Sequence, residues 1–145
     1  MDWKREAADK LKCYEAKRTS MERAREEMRR LEDDMTRIRS ATTDGTPVSG
    51  GTSTREDAMV NNIARREELK LAMKEARAWV KIVDGGLAVL DEEERHILDR
   101  FYIHRAKGNV ERLCDELHLE KTRVYDLKDK ALRHFTIALY GVVET

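Results

Sequence analysis

This chain is poor in most of what builds covalent frameworks, rigid loops or membrane spans. It has two cysteines, Cys13 and Cys114, in no CxxC pair and with no histidine at ligand spacing. Neither a disulfide framework nor a zinc site is therefore expected, and reduced thiols in a cytoplasmic setting are expected. Aromatic residues are only 6% while charged residues are 40%, the balance of long solvated helices around a modest core. Formal net charge is zero, so no field of one sign surrounds the whole molecule, and any polyanion must be bound by local charge. No apolar run reaches membrane-spanning length, and the opening MDWKREAADK is charged, unlike a signal peptide. Gly-rich phosphate loops, nucleophile elbows and paired carboxylates in a cleft-like context are all missing, and the four histidines, 96, 104, 118 and 134, are scattered. No enzyme activity, cofactor or metal is expected.

What the chain does have is helical periodicity. Residues 2 to 40 contain neither Pro nor Gly. Met21, Met28 and Met35 recur every seven residues, and Ala24, Leu31 and Ile38 do the same three places later, together forming a coiled-coil seam. Continued backward, the seam takes in Ala7 and Tyr14 but also Lys10 and Lys17, so it weakens. The stretch from Ala41 to Thr54 holds the single Pro and three of the seven Gly and reads as a flexible loop. Thr54 and Asp57 resemble an N-cap pair for a second helix running to about Val83. Its face is Met59, Leu69, Met73, Ala76, Val80 and Val83, interrupted by Asn62 and Arg66. The economical arrangement of residues 1–84 is a long antiparallel helical hairpin around the loop 41–54. Trp3, Ala7 and Leu11 on the overhang of the first helix are placed to dock on the C-terminal domain. Asp84-Gly85-Gly86 is expected to end the second helix.

From residue 87 the pattern shortens. Asp91 and Glu94 make a capping pair, and the acidic run sits where a helix dipole favours it. Ile97, Leu98, Phe101 and Tyr102 face a core, and Gly108-Asn109 ends this helix and caps the next. Leu113 and Leu117 share a helix face, with the small Cys114 beside them and Leu119 in the following turn. Val124, Leu127, Ala131, Leu132 and Phe135 form the buried face of the last helix. Two short amphipathic helices joined by a tight turn make a helix-turn-helix pattern over residues 87–145. The closing TIALYGVVET is apolar enough, through Ile137, Leu139, Tyr140, Val142 and Val143, to require burial on its own domain or on a second copy. The fold class expected is all-α.

Leu113, Cys114, Leu117, Leu119 and Val124, followed by Lys130-Ala131-Leu132, resemble region 4 of the bacterial sigma-70 factors, the helix-turn-helix that reads the promoter −35 element. Upstream, DEEERHILDRFYI resembles the first helix of the same unit. Two positions depart from that pattern: His118 stands where the family has its turn glycine, and Glu120 where it has a serine. His118 must then take a left-handed conformation, or the turn differs, and Glu120 is a poorer N-cap than Ser.

The resemblance implies sequence-specific binding of double-stranded DNA, with Lys121, Thr122, Arg123, Tyr125 and Asp126 near base edges. Arg123 would read guanine and Asp126 would accept from cytosine, while Lys128, Lys130 and Arg112 suit phosphates. Between Glu120 and His134 there are five basic residues against three acidic ones. The layout of a coiled-coil front and a sigma-like end also resembles small phage and prophage late-gene regulators such as the ArpU-like group. That implies contact with bacterial RNA polymerase, and the apolar tail suggests a homodimer. Two other readings fit the same layout: a phage small terminase subunit, and a coiled-coil interaction module that never touches DNA.

Overall fold

The computed structural model describes residues 1–40 and 51–143, with the backbone alone for residues 51–53. Every element among the described residues is helical, as the composition predicts. They are α1 (Trp3–Ser40), α2 (Gly51–Ala88), α3 (Glu92–Leu98), α4 (Asn109–Leu117) and α5 (Lys121–Tyr140), and a π-helical turn, Asp99–Ile103, follows α3 directly. Of the expected loop, residues 41–50 lie outside the described residues. No described helix is long and apolar enough to cross a membrane. The chain divides into two compact units, one formed by Met1–Lys17 with Ala78–Thr145, the other by Arg18–Arg77.

In the second unit the α1 and α2 segments run antiparallel. Arg65 donates to both carboxylate oxygens of Glu27 at 2.8 and 3.1 Å, while Asn62 donates from Nδ2 to the Leu31 carbonyl at 2.7 Å. Rising numbers on α1 thus meet falling numbers on α2. Ala24, Met35, Leu69 and Ala76 are buried, four of the residues given by the seven-residue spacing. Asn62, which interrupts the apolar face in sequence, is itself buried, and its bond to Leu31 accounts for one end of its amide. The hydrogen bond from Arg65 holds the Glu27 carboxyl below its usual pKa, though the pair is solvent-exposed and adds little stability.

In the first unit, Ala7, Ala8 and Leu11 of α1 are buried with Val83 and Leu90, with Leu98 of α3, and with Ala131, Leu132 and Phe135 of α5. Trp3 reaches Tyr140, their ring centroids 4.8 Å apart, and Tyr14 hydrogen-bonds Asp84. Docking of Trp3, Ala7 and Leu11 is thus realised, and the part of α1 with the weakest seven-residue repeat is among the best buried. Leu139 and Tyr140 pack on this same core, so two of the tail's five apolar side chains are covered by its own chain. Ile137 and Val142 stay exposed at 43% and 44%.

Three boundaries differ from the sequence expectation. Thr54 does not open α2, which already begins at Gly51. The helix also does not end at Gly85-Gly86 but runs through both to Ala88. A Cβ at Gly86 would lie 2.8 Å from Phe135 and from Leu139, so this glycine serves close helix packing instead of termination. Finally, Asn109 does not cap α4. The π turn sends the His104 N–H to the Asp99 carbonyl at 2.7 Å, which leaves the Arg100 carbonyl without its α-helical partner. Buried Asn109 supplies one, its Nδ2 donating to Arg100 O and His104 O, each at 2.9 Å.

Candidate nucleic-acid interface

α4 and α5 are joined by His118, Leu119 and Glu120, and the local geometry follows from their chemistry. His118 has φ 55° and ψ 44°, the left-handed region that its position demands in place of glycine. Its N–H and that of Leu119 both bond the Cys114 carbonyl, closing the end of α4. Glu120 begins α5 in extended conformation without a side-chain cap, as expected of Glu in a Ser position. Beneath the turn, Ile97, Leu113 and Val124 form a fully buried cluster, walled by Phe101, Cys114, Leu117, Leu119 and Leu127.

Two histidine–carboxylate contacts hold the helices around that cluster. His96 of α3 meets Glu116 of α4 at 2.5 Å, and His134 of α5 meets Glu94 of α3 at 2.5 Å. Glu94 also completes a capping box with Asp91, so one side chain both starts α3 and ties it to α5. The hydrogen bond from His96 keeps the Glu116 carboxyl below its usual pKa.

Val124 is fully buried and fixes the rotation of α5, which turns Lys121, Thr122, Arg123, Tyr125 and Asp126 to the surface. Lys130 and Arg133 are exposed further along the helix. Arg112, on α4, is exposed and donates to Asn109 Oδ1 at 3.3 Å. Lys128 is placed differently. It is half-buried, with its ammonium 5.5 Å from the Phe101 ring centroid, 5.7 Å from that of Tyr125, and 3.0 Å from Asp129. Burial works against its charge, but Asp129 and the Tyr102 hydroxyl outweigh that and raise its pKa. Burial likewise raises the pKa of Tyr102, against the pull of Lys128.

Lys128 and Tyr125 lie on the wall of a cleft of about 410 Å³, also lined by Lys12, Arg100, Arg105 and the residues Gly108 to Glu111. Four cations face one carboxylate there. Gly108, at φ 84°, precedes α4 with no side-chain cap, so the first-turn N–H groups of α4 add to the positive character of this wall. Lys12, Arg100 and Arg105 escape the sequence reading because nothing local signals them; only the docking of α1 brings Lys12 beside the π turn. Among the described residues, no three His, Cys, Asp or Glu side chains come together to hold a metal ion.

Compared with protein-family models, with curated proteins and with solved structures, the chain matches none of them.

Proposed function

We propose that this chain is a sequence-specific DNA-binding transcription regulator in which α4 and α5 act as a helix-turn-helix and α5 enters the major groove. The observation that carries the reading is the start of α5. Five side chains of its opening turns, Lys121, Thr122, Arg123, Tyr125 and Asp126, are exposed around a Val124 that is wholly buried. Such an anchored helix presents a rigid set of donors and acceptors of the kind that reads base edges. Arg123 pairs with guanine and Asp126 accepts from cytosine. Lys128, Lys130 and Arg112 meet phosphates, and the cleft wall of Lys12, Arg100 and Arg105 extends that contact along the backbone. Lys128, held over Phe101 and Tyr125, orders the surface beside Tyr125 as well as adding charge.

In this reading the residues ahead of α3 form a helical hairpin that tethers the DNA-reading part, by contact with RNA polymerase or with a second copy of the chain. The protein works as a homodimer in the cytoplasm, with no catalytic step and no cofactor. The experiment begins with selection of bound duplexes from a random pool. Enrichment of one motif, with Arg123→Ala losing about 1–3 kcal/mol on it and less on unrelated DNA, supports the reading. A pool from which wild-type protein enriches nothing overturns it.

A further inference from the structure

The cleft beside the start of α4 is built by a departure from regular helix. Arg100, Phe101 and Tyr102 are consecutive, yet all three line it. On an α-helix they would spread over about 200°. The wider π turn narrows that spread and gathers one cation and two rings on a single wall. Asn109 braces the turn through Arg100 O and His104 O, and its Oδ1 accepts from Arg112, so its side chain is fully used. The Asn109 N–H bonds Ala106 O, and the Arg112 N–H bonds Gly108 O. Between them, the N–H groups of Val110 and Glu111 are the open donors of the first turn, and both residues line the cleft.

We propose that this cleft binds a nucleoside polyphosphate. Charge makes the ligand an anion. Lys12, Arg100, Arg105 and Lys128 line the cleft against Glu111 alone. Asp9 and Asp129 pair with Lys12 and Lys128, and Glu116 feels the charge of Arg100, but none of these three carboxylates lines the cleft. Among the described residues neither Arg100 nor Arg105 is in an ion pair, so both guanidinium groups are available to phosphate oxygens, which they bind in bidentate fashion. Size and rings make the anion a nucleotide. The volume of about 410 Å³ lies within the range of about 300–1,000 Å³ usual for small-molecule sites, and a lone phosphate would leave most of it empty. Tyr125, 39% exposed on the same wall, offers a ring on which a base can stack. Duplex DNA keeps its bases stacked inside and brings only phosphate and sugar to such a ring. A bound nucleotide neutralises part of the wall assigned above to the DNA backbone and so lowers DNA affinity. That consequence, unlike the binding itself, rests on the DNA-binding reading.

The test is isothermal titration calorimetry of the full chain at low salt, with ATP, GTP, pyrophosphate and adenosine as probes. Circular dichroism checks that each variant is folded. ATP or GTP is expected to bind more tightly than pyrophosphate, and adenosine most weakly. Lys12→Ala combined with Arg105→Ala, both exposed, is expected to weaken nucleotide binding by about tenfold or more. Glu111→Gln removes the one lining carboxylate and is expected to tighten it. Tyr125→Ala is expected to bring the nucleotide down toward pyrophosphate. Heat from none of the four probes overturns the site. Pyrophosphate binding as tightly as both nucleotides overturns the nucleoside part, and nucleotide binding indifferent to the Lys12 and Arg105 pair places it elsewhere and overturns the assignment. In a second arm, the preferred nucleotide is added to protein bound to its selected duplex, and release of the duplex is expected. A nucleotide that binds without releasing DNA overturns the competition alone. If no duplex is ever selected, the DNA-binding reading falls and the calorimetry still decides the site.

Discussion

Gly86 of α2 and Phe135 of α5 approach so closely that a methyl group on Gly86 would sit 2.8 Å from the aromatic ring, with Leu139 equally near. Phe135 is fully buried and cannot swing into solvent. Gly86→Ala therefore gains helix propensity but loses more through overpacking, a net cost of about 1–3 kcal/mol. Gly85→Ala, with nothing within 4 Å of the added methyl, should instead stabilise by about 0.5–1 kcal/mol. Urea denaturation of the two variants side by side measures the contrast, and equal effects would remove the packing role assigned to Gly86.

The left-handed His118 gives a second contrast. Only glycine takes φ 55° without steric cost, so His118→Gly relieves strain of about 1 kcal/mol, offset in part by the entropy of a freer unfolded chain. His118→Val puts a β-branched residue in the same conformation and should cost more than about 1 kcal/mol. Thermal melts of the two variants are expected to move in opposite directions.

Glu116 supplies a pH-dependent term. Its carboxyl is held below the ordinary 4.5 by the hydrogen bond from His96. A carboxylate with a depressed folded-state pKa adds stability that is present above its unfolded value and is lost as pH falls through the folded one. Stability should therefore drop below about pH 4.5, and Glu116→Gln should flatten that part of the acid limb while changing little at neutral pH. The measurement is denaturation midpoint against pH, from pH 7 downward.

Asn62 is a buried polar group whose Nδ2 is satisfied by Leu31 while its Oδ1 has no partner. Asn62→Leu removes that unsatisfied acceptor and fills the space with carbon. It is expected to be neutral or to stabilise by up to about 2 kcal/mol. A buried Asn of this kind fixes the register of paired helices, so the same variant should show broader NMR lines for α1 and α2 as alternative registers become populated. Asn62→Asp, which buries a charge without a compensating donor, should destabilise strongly.

How far these features could be read in advance depends on whether they are local. Asp91 with Glu94 is a local signal, and it became a capping box. Leu113, Leu117, Leu119 and Val124 sit at spacings that two short helices and a tight turn can bury together, and they share one cluster. The exposed start of α5 was legible for the same reason, since placing Val124 inside turns Arg123 and Asp126 out. Gly85-Gly86 was not legible, because a glycine pair reads the same whether it ends a helix or admits a ring from a distant one. The meaning of Gly86 lies in Phe135, 49 positions away. The π turn and the role of Asn109 belong to the same class, being a carbonyl freed at Arg100 and met from outside. Lys128 was legible as a cation but not as one lodged over two rings.

In sequence, the first unit is assembled from both sides of the second. Leu11 and Phe135 share a core although 124 positions separate them. During synthesis the α1 segment bearing Ala7 and Leu11 emerges long before α5, and must wait with its apolar face uncovered until Phe135 has been made. Closing that span is slow compared with pairing neighbouring helices. The same arrangement means that a fragment cut to contain only α3, α4 and α5 would carry an unhealed surface where Ala7 and Leu11 belong. It should aggregate, and co-expression of a peptide spanning residues 1–17 should restore its solubility.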